Sequence, residues 1–560
     1  MKKIICLIIC LMLVGCSVNN TNDSRPEVIE WQGFSNLISD AIEEKDPYLR
    51  TNMLHEAEDM LMDSGAAIPL YSGITKYLIN NDIEGVYVDY LSDVHYSHIY
   101  RKNSDGKTPL RINIISEAAN LDPQKDLLGN VYIFWFGVGA SLVKFDENNN
   151  VVGDLATHYE VSDDGLTYKF YLRDNLKWSD GEPLTAEDFV YSYKRAADPE
   201  NGMEASQFLN IIKGYPDNLQ VYSEDDGKVF VIELNTPSVY LPTLVGIPPL
   251  MPLRQDIIEN TPGYKNEEGK VVNPSAWGAD APLVSCGAYT LESWKHNESM
   301  ILKKNPYYYD ADNVKTETIE LMLNGDESTS YNAYAIGDIC LLTDKIPSDI
   351  VETLYGRPDF HTVLVAGTMY INVNVTSPMF NGLSVEDAKT FRKALGYCFD
   401  RRFLTQIISM PEESITTAIV PKSVQDGTDK VYGETEGYNY PYETGYYPIE
   451  QDYDKAREML KSIGYEFDND GKLTTPINID YLTATGATNE AVATCIQADL
   501  AQIGINVNVK ALDSNIFYAD RANGDFDIAM GKWFLDFCDP LSMLLIFEKD
   551  SPNNSAQIGR

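Results

Sequence analysis

Three segments carry residue types that could support enzyme or metal chemistry, and each lacks a residue that the chemistry needs. His55-Glu56-Ala57-Glu58-Asp59 begins like the zinc-protease motif HExxH, but Asp59 replaces the second histidine, which favours a helix surface. Gly137-Val138-Gly139 lacks the third glycine of a dinucleotide-binding loop. Asp468-Asn469-Asp470-Gly471 resembles part of a calcium loop, but Ile477 stands in place of its closing glutamate, and a hairpin turn fits better. The sequence therefore predicts no catalytic centre, no metal site and no cofactor.

The charge balance argues against nucleic acid as a partner. The 560 residues include 84 acidic and 44 basic side chains, so the net charge is −40 at pH 7, and a phosphate backbone would be repelled. An acidic surface could also favour cationic substrates, but a solvated face that keeps a secreted protein soluble is the more common reason for such a charge. The chain is long enough for a large core and for more than one domain.

The first residues have the layout of an export signal. Lys2 and Lys3 precede the eleven apolar residues 4–14, which fall short of the roughly 20 that span a bilayer. Leu13-Val14-Gly15-Cys16 resembles the processing site of bacterial lipoproteins. Residues 1–15 are therefore predicted to be a signal peptide, and Cys16 to carry the lipid that holds the protein on the extracytoplasmic face of the cell membrane. The polar residues 16–27 are predicted to form a flexible tether.

The cysteines beyond Cys16 are odd in number and widely spaced, and they form no CxxC pair. Such a pattern supports no disulfide framework, and free, mostly buried thiols are expected. They are Cys286, Cys340, Cys398, Cys495 and Cys538.

Residues 153–189 predict a sequence of regular elements with defined turns. The pattern indicates a strand that ends at Val161, a turn at 163–165 and an alternating strand over 167–172. Thr185 and Asp188 have the spacing of a capping box, so a helix should begin near Ala186.

The same stretch resembles, almost position for position, the signature of the family 5 extracellular solute-binding proteins, which include oligopeptide- and dipeptide-binding proteins. The resemblance runs from about Pro109 to the end of the chain. Other segments that carry it are Cys286–Trp294, Lys304–Tyr309, Phe391–Arg401 and Gly524–Pro540.

The segments that should follow Arg560 in this family are found at the front of the chain. They are Trp31–Ile38, Arg50–Glu58, Ala66–Tyr71 and Asp82–Val86. This order is that of a circular permutant, in which residues 101–110 join the family's old termini across at most about 36 Å. A remnant of one binding protein fused to a truncated second one would give the same order.

The resemblance implies an α/β fold with two lobes, the type II periplasmic-binding-protein fold similar to cluster C, with the ligand cleft between the lobes. Lobe one is expected over residues 69–285, and lobe two over 286–560 completed by 28–68. The chain would then cross between the lobes near Ile68-Pro69 and Ser285-Cys286. A monomer that closes around its ligand and docks on the permease subunits of an ABC importer is expected.

The resemblance also implies a ligand site near the end of the chain. In oligopeptide binders of this family a tryptophan followed three residues later by an aspartate lines the cleft, and Trp533 and Asp536 match that pair. Asp536 would bind the α-amino group of a peptide, although it could instead cap the turn before Asp539. Phe534 and Arg521 are further candidates, the latter for the peptide carboxylate; an outward-facing arginine fits Arg521 equally well.

The function predicted from the sequence is capture of oligopeptides for an ABC importer, and not catalysis. Family 5 also binds oligosaccharides, nickel chelates and haem, and a member can serve as a peptide-signal receptor. The aromatic side chains of Trp533 and Phe534 would suit stacking on a sugar, whereas Asp536 favours a ligand that carries an amine.

Overall fold

The computed structural model describes residues 26–560 except Asp126, Leu128, Asp344, Ser348 and Asp429, and gives the backbone alone at 26–30 and 514–515. The predicted signal peptide and the lipidation residue Cys16 lie outside the described residues. No helix among the described residues has the length and apolar character to cross a membrane.

The described chain contains both strands and α-helices. The strands are β1 Ala67–Ile79, β2 Ile83–Glu84, β3 Tyr87–Val88, β4 Val94–His95, β5 Tyr100–Arg101, β6 Leu110–Asn113, β7 Val143–Phe145, β8 Val151–Gly153, β9 Ala156–Val161, β10 Thr167–Leu172, β11 Val221–Glu224, β12 Val229–Glu233, β13 Tyr289–Lys295, β14 Ser299–Lys304, β15 Thr318–Met322, β16 Leu341–Thr343, β17 Phe360–Val373, β18 Ile477–Ala484, β19 Ile505–Leu512 and β20 Ile528–Phe534. The α-helices are α1 Pro26–Glu43, α2 Pro47–Ser64, α3 Gly129–Val138, α4 Ala186–Ala197, α5 Leu241–Leu244, α6 Gln255–Asn260, α7 Glu327–Ala335, α8 Val351–Leu354, α9 Val385–Tyr397, α10 Arg401–Ile407, α11 Tyr453–Ser462, α12 Ala487–Ala501, α13 Ser514–Asn523 and α14 Pro540–Leu544.

The elements predicted between residues 153 and 189 are confirmed. β9 ends at Val161 and β10 covers Thr167–Leu172. Helix α4 begins at Ala186, and its capping box is formed, since the Thr185 side chain accepts from the backbone while the Asp188 carboxylate accepts a 2.9 Å hydrogen bond from the Thr185 N–H. Local polar groups therefore set where this helix begins.

The molecule has two lobes, each built around its own hydrophobic core. The first core contains buried side chains between Ile83 and Leu341, and we call this part lobe one. The second core contains side chains of residues 31–71 and 366–558, and we call this part lobe two. Tyr90 and Phe145 extend from lobe one into the second core. A single ten-stranded sheet runs through both lobes in the order β13-β14-β15-β6-β16-β1-β17-β20-β18-β19.

The two long strands β1 and β17 connect the lobes. They pair with each other along most of their length, from Ala67↔Asn372 to Leu78↔Phe360. The far end of β1 also pairs with β16 of lobe one, and β17 pairs with β20 of lobe two. The register shifts between Pro69 and Tyr71 and again between Ser72 and Ile74. We call these two crossing strands with irregular pairing the hinge strands. One of them, β1, contains Ile68-Pro69, where the sequence placed one crossing.

The second crossing does not lie at Ser285-Cys286, where the sequence placed it. Cys286, Leu291 and Leu341 belong to the first core. The reason is long-range pairing, because β15 joins β6 in parallel through Ile319↔Leu110 and so holds the hairpin β13–β14 in the sheet of lobe one. Lobe one therefore continues to β16, and the second crossing is β17.

Helices α1 and α2 at the front of the chain belong to lobe two. Asp46 caps α2 by accepting from the N–H groups of Tyr48 and Leu49, and Gly65 ends the helix with a φ of 68°. The Trp31 indole donates a 2.9 Å hydrogen bond to the carbonyl of Phe547. Segment 28–68 thus packs into the core that the end of the chain also forms. Helix α1 begins at Pro26, so the last two residues of the expected tether are helical.

Candidate functional site

The end of strand β20 brings the predicted ligand residues to the junction of the lobes. Trp533 pairs with Thr368 and Phe534 with Gly367 on the hinge strand β17. Beyond β20 the chain leaves the sheet towards lobe one, where the ring of Phe537 stacks on Tyr240 with 4.2 Å between centroids. Residues 533–537 therefore lie where lobe two faces lobe one.

The Asp536 carboxylate stands at this junction without a protein counter-ion. Its side chain is exposed, and no described residue forms a hydrogen bond or ion pair with the carboxylate. Partial burial by the surrounding protein nevertheless raises the pKa of Asp536 to about 6. Asp539 caps α14 by accepting a 2.9 Å hydrogen bond from the Leu541 N–H, so the capping role considered for Asp536 belongs to Asp539.

Trp533 offers an unused hydrogen-bond donor beside Asp536. Its side chain is half-buried, and the buried indole N–H has no hydrogen-bond partner among the described residues. A buried indole N–H usually finds an acceptor, so a ligand carbonyl or hydroxyl could complete this site.

Phe534 packs on the hinge. Its side chain is 46% exposed, and its ring lies over the backbone of Gly73 on β1 and Gly367 on β17, so close that a side chain at either glycine would collide with it. Because both glycines lie in the crossing strands, Phe534 is in contact with both connections between the lobes.

The described contacts of Arg521 are with Met530 on β20 and with two aromatic rings of α13. Its guanidinium donates a 3.3 Å hydrogen bond to the carbonyl of Met530 and lies 5.2 Å from the ring centroids of Phe517 and Tyr518. The structure therefore places Trp533, Phe534 and Asp536 in one segment at the end of β20, and Arg521 on α13 contacts the same strand at Met530.

Lobe one contributes residues that the sequence did not single out. Asp93 lies in the turn between β3 and β4, and Tyr132 lies on α3; both side chains are half-buried. Burial, then the charges of Asp93 and Asp536, raise the pKa of the Tyr132 hydroxyl, so both carboxylates act on this one group. No spacing rule marks these residues, because acidic side chains are common throughout this chain.

Comparison with known proteins places the chain in a family. A sequence model for the middle region of the bacterial extracellular solute-binding proteins, family 5, matches residues 150–555. The chain belongs to family 5. Members of this family bind solutes outside the cytoplasm, and the interlobe junction described above is the candidate solute site.

Relatives of this family 5 chain have several named ligands. The oligopeptide-binding protein OppA of Bacillus subtilis is 27% identical over 475 residues, which cover 81% of this chain and 80% of OppA. A probable deoxycholate-binding periplasmic protein of Escherichia coli, YgiS, is 26% identical over 485 residues, 83% of each chain. The unliganded open form of the murein tripeptide binding protein MppA superposes with a TM-score of 0.63 at 22% identity and covers 82% of this chain and 84% of MppA. This likeness supports the two-lobed fold.

Proposed function

We propose that this family 5 chain is a lipid-anchored, extracytoplasmic substrate-binding protein that captures oligopeptides and delivers them to an ABC importer. The observation that carries the proposal is the unpaired Asp536 carboxylate beside Trp533 at the junction of the lobes. Relatives at 27% and 25% identity are an oligopeptide-binding and a dipeptide-binding protein of Bacillus subtilis.

The α-ammonium group of a peptide would supply the positive counter-ion that the Asp536 carboxylate lacks in the unliganded protein. Partial desolvation without a counter-ion is unfavourable for a carboxylate, and an ammonium group relieves it through a charge-assisted hydrogen bond. The free indole N–H of Trp533 can donate to a peptide carbonyl. A neutral sugar would leave the Asp536 charge unpaired, and an anionic ligand such as a bile acid would be repelled by it.

Closure of the lobes would complete this site. The exposed side of Asp536 shows that water reaches it in the present arrangement. A ligand that touches both lobes binds the closed arrangement more tightly and so shifts the equilibrium towards it. The bulged strands β1 and β17 supply the hinge for that movement, and the closed form would be the one that docks on the permease subunits.

Lipidation of Cys16 is part of the proposal. Residues 16–25 precede α1 and reach at most about 36 Å when extended, so a lipid on Cys16 would hold lobe two close to the membrane surface. Replacing Cys16 by alanine should release the protein from the membrane of its host. A wild-type protein that is fully released and unacylated would contradict the anchor.

The order of segments along the polypeptide is proposed to result from a circular permutation. The packing of α1 and α2 into the core of lobe two supports completion within one chain. The segment 101–110 supports it as well, because it links β5 to β6 with both ends in lobe one and carries exposed polar side chains from Lys102 to Asp105.

A double-mutant cycle with the ligand tests peptide binding. Asp536→Asn keeps the shape of the side chain and removes its charge, so the affinity for a tetra-alanine peptide should fall about 30-fold or more in isothermal titration calorimetry. N-acetylation of the peptide should weaken binding to the wild type by a similar factor and hardly affect Asp536→Asn, since both changes delete the same interaction. Asp163→Asn, at an exposed turn of lobe one, is the matched control.

Additive losses in that cycle, or tight binding of a ligand without an amino group, would contradict the role of Asp536. Mass spectrometry of small molecules that co-purify with the protein identifies the ligand independently of any variant. An oligosaccharide in that preparation would move the function to sugar binding on Trp533 and Phe534.

A further inference from the structure

A small cavity lies against the hinge strands at the junction of the lobes. Its volume is about 280 Å³. Ile346 and Val351 line it from lobe one, where both belong to a small core that also contains Leu342 of β16. Ile408 and Met410 line it from lobe two, where both pack against the second core. The walls of the cavity therefore belong to different lobes.

The cavity and the side chain of Trp533 lie on opposite faces of the hinge strands. Tyr71 of β1 and Met369 of β17 line the cavity, and they pair directly with each other. The next pair in the register is Ser72 with Thr368, and Thr368 also pairs with Trp533. Directly paired residues share a face of the sheet, and successive residues alternate between its faces. The cavity is therefore behind the hinge strands, on the face away from Trp533.

A hydrogen bond joins the two lobes beside this cavity. The Tyr355 hydroxyl donates a 3.0 Å hydrogen bond to the backbone carbonyl of Ser409. Tyr355 directly follows helix α8, which contains Val351, and Ser409 lies between Ile408 and Met410. The bond therefore connects the two walls of the cavity. Because the Tyr355 side chain is 38% exposed, water can take the place of the carbonyl when the lobes separate at this point.

Rotation of the lobes about the hinge strands would change this contact. The hinge strands act as a pivot, so a rotation that closes the lobes over Trp533 moves apart the parts that lie behind the strands. The bond between Tyr355 and Ser409 is present in an arrangement that leaves Asp536 exposed, and closure would break it. A contact that is made only when the lobes are open lowers the population of the closed form, and with it the affinity for a ligand that needs closure.

We propose that the hydrogen bond between Tyr355 and Ser409 is a latch behind the hinge, which holds the lobes open and so lowers the affinity for the ligand. The inference rests on the closure that is part of the proposed function, but it does not require that the ligand is a peptide. The acceptor is a backbone carbonyl, so the latch depends on the hydroxyl of Tyr355 and not on the side chain of Ser409. Removing that hydroxyl should tighten binding, although it lies on the face away from Trp533.

A single substitution tests the latch. Tyr355→Phe removes the hydroxyl and keeps the ring, which packs edge-on against Phe360 with 5.4 Å between centroids. The affinity for the tetra-alanine peptide should rise about two- to tenfold in isothermal titration calorimetry, which is the effect of one hydrogen bond. An unchanged or weaker affinity in a variant that unfolds at the temperature of the wild type would overturn the proposal.

Two further variants are matched controls. Tyr171→Phe removes a hydroxyl that donates to Glu160 within lobe one, and it should leave the affinity unchanged. Ser409→Gly keeps the acceptor carbonyl, and glycine readily adopts the φ of 52° found at this position, so this variant should also bind as the wild type does. A gain in either control as large as that in Tyr355→Phe would overturn the assignment to the Tyr355 hydroxyl.

The outcomes separate this inference from the proposed function. If Tyr355→Phe binds the peptide as the wild type does, while N-acetylation and Asp536→Asn weaken binding, peptide binding stands and the latch is wrong. If neither the wild type nor Tyr355→Phe binds the peptide, the proposed function is wrong, and small-angle X-ray scattering of the two free proteins decides on the latch. A smaller radius of gyration in Tyr355→Phe would support the latch, and an equal radius would overturn it.

Discussion

The guanidinium of Arg50 donates a 2.7 Å hydrogen bond to the carboxylate of Asp539, although 489 positions of the chain separate the two residues. Both side chains are 2% exposed. Asp539 also caps α14, so this ion pair fixes the front helix α2 to the element that follows Asp536. Helices from opposite ends of the polypeptide therefore pack together in one lobe.

Breaking this pair should destabilise lobe two strongly. Arg50→Met leaves the Asp539 carboxylate buried without its partner, and a loss of about 3 to 5 kcal/mol in the free energy of unfolding is expected. Chemical denaturation measures it. Arg402→Met is the matched control, because Arg402 and its partner Glu412 are 40% and 65% exposed, and its loss should stay below about 1 kcal/mol. Equal losses in the two variants would contradict the structural role of Arg50.

A chain that begins at Lys107 should fail to fold into a binding-competent protein. It lacks α1, α2 and β1, so it leaves the second core uncovered and removes one of the two hinge strands. Exposed core surface of this extent leads to aggregation. Solubility, circular dichroism and peptide titration of the shortened chain measure this, and full stability with full affinity would contradict the completion of lobe two by residues 28–68.

Glycine at position 73 is required by the ring of Phe534. A methyl group added there would lie 2.6 Å from a ring carbon of Phe534 and 2.7 Å from a methyl of Val365. Gly73→Ala should therefore cost about 1 to 3 kcal/mol in unfolding free energy and alter ligand affinity through the hinge. The double variant with Phe534→Ala should recover part of the loss.

Gly367→Ala provides the contrast for that experiment. A methyl group at this position meets the ring of Phe534 and also the backbone carbonyl of Trp533 at 2.8 Å. Because a backbone atom cannot move away as a side chain can, Phe534→Ala should rescue Gly367→Ala less well than Gly73→Ala. Equal rescue at both positions would mean that the contact with the Trp533 carbonyl does not limit a side chain at position 367.

Peptide affinity should fall in acid because of Asp536. Burial raises the pKa of its carboxyl to about 6 in the free protein, and a bound ammonium group would lower that pKa. The ionised carboxylate binds the ammonium form of the peptide, so affinity should be constant between about pH 6 and the pKa of the peptide amine at about 8, and decrease by up to about tenfold per pH unit below pH 6. Calorimetry across this range measures the slope. Asp536→Asn should bind weakly with a flatter profile, and an identical slope in both proteins would refute the assignment.

The stability of lobe two should depend on the protonation of Glu58. Its carboxylate accepts 3.0 Å hydrogen bonds from the N–H groups of Ile419 and Val420, yet burial dominates and raises the pKa of Glu58 from 4.5 to about 7. As pH rises, the unfolded chain loses this proton first, so the contribution of Glu58 is complete below pH 4.5 and is lost as pH approaches 7.

The total change amounts to about 3 kcal/mol at 1.36 kcal/mol per pKa unit. Glu58→Gln should remove this part of the pH dependence of unfolding, measured as the difference between wild type and variant. A difference that stays constant between pH 4.5 and 7 would contradict the raised pKa.

The sequence by itself determined the local elements and the family. The capping box of Thr185 and Asp188 and the alternating strand 167–172 depend on neighbouring residues only, and both were predicted with correct bounds. Resemblance also located Trp533 and Asp536, which the structure brings to the junction of the lobes. Contacts within a few residues need no knowledge of the rest of the fold.

Only the tertiary structure decided which distant segments meet. It moved the second crossing from Ser285-Cys286 to β17, because the parallel pairing of β15 with β6 joins strands that are far apart in sequence. It also brought the turn that contains Tyr90 and the segment that contains Leu535 to the backbone of the same residue, Ala366. Such neighbours arise from sheet register and packing between lobes, which leave no periodic trace in the amino-acid order.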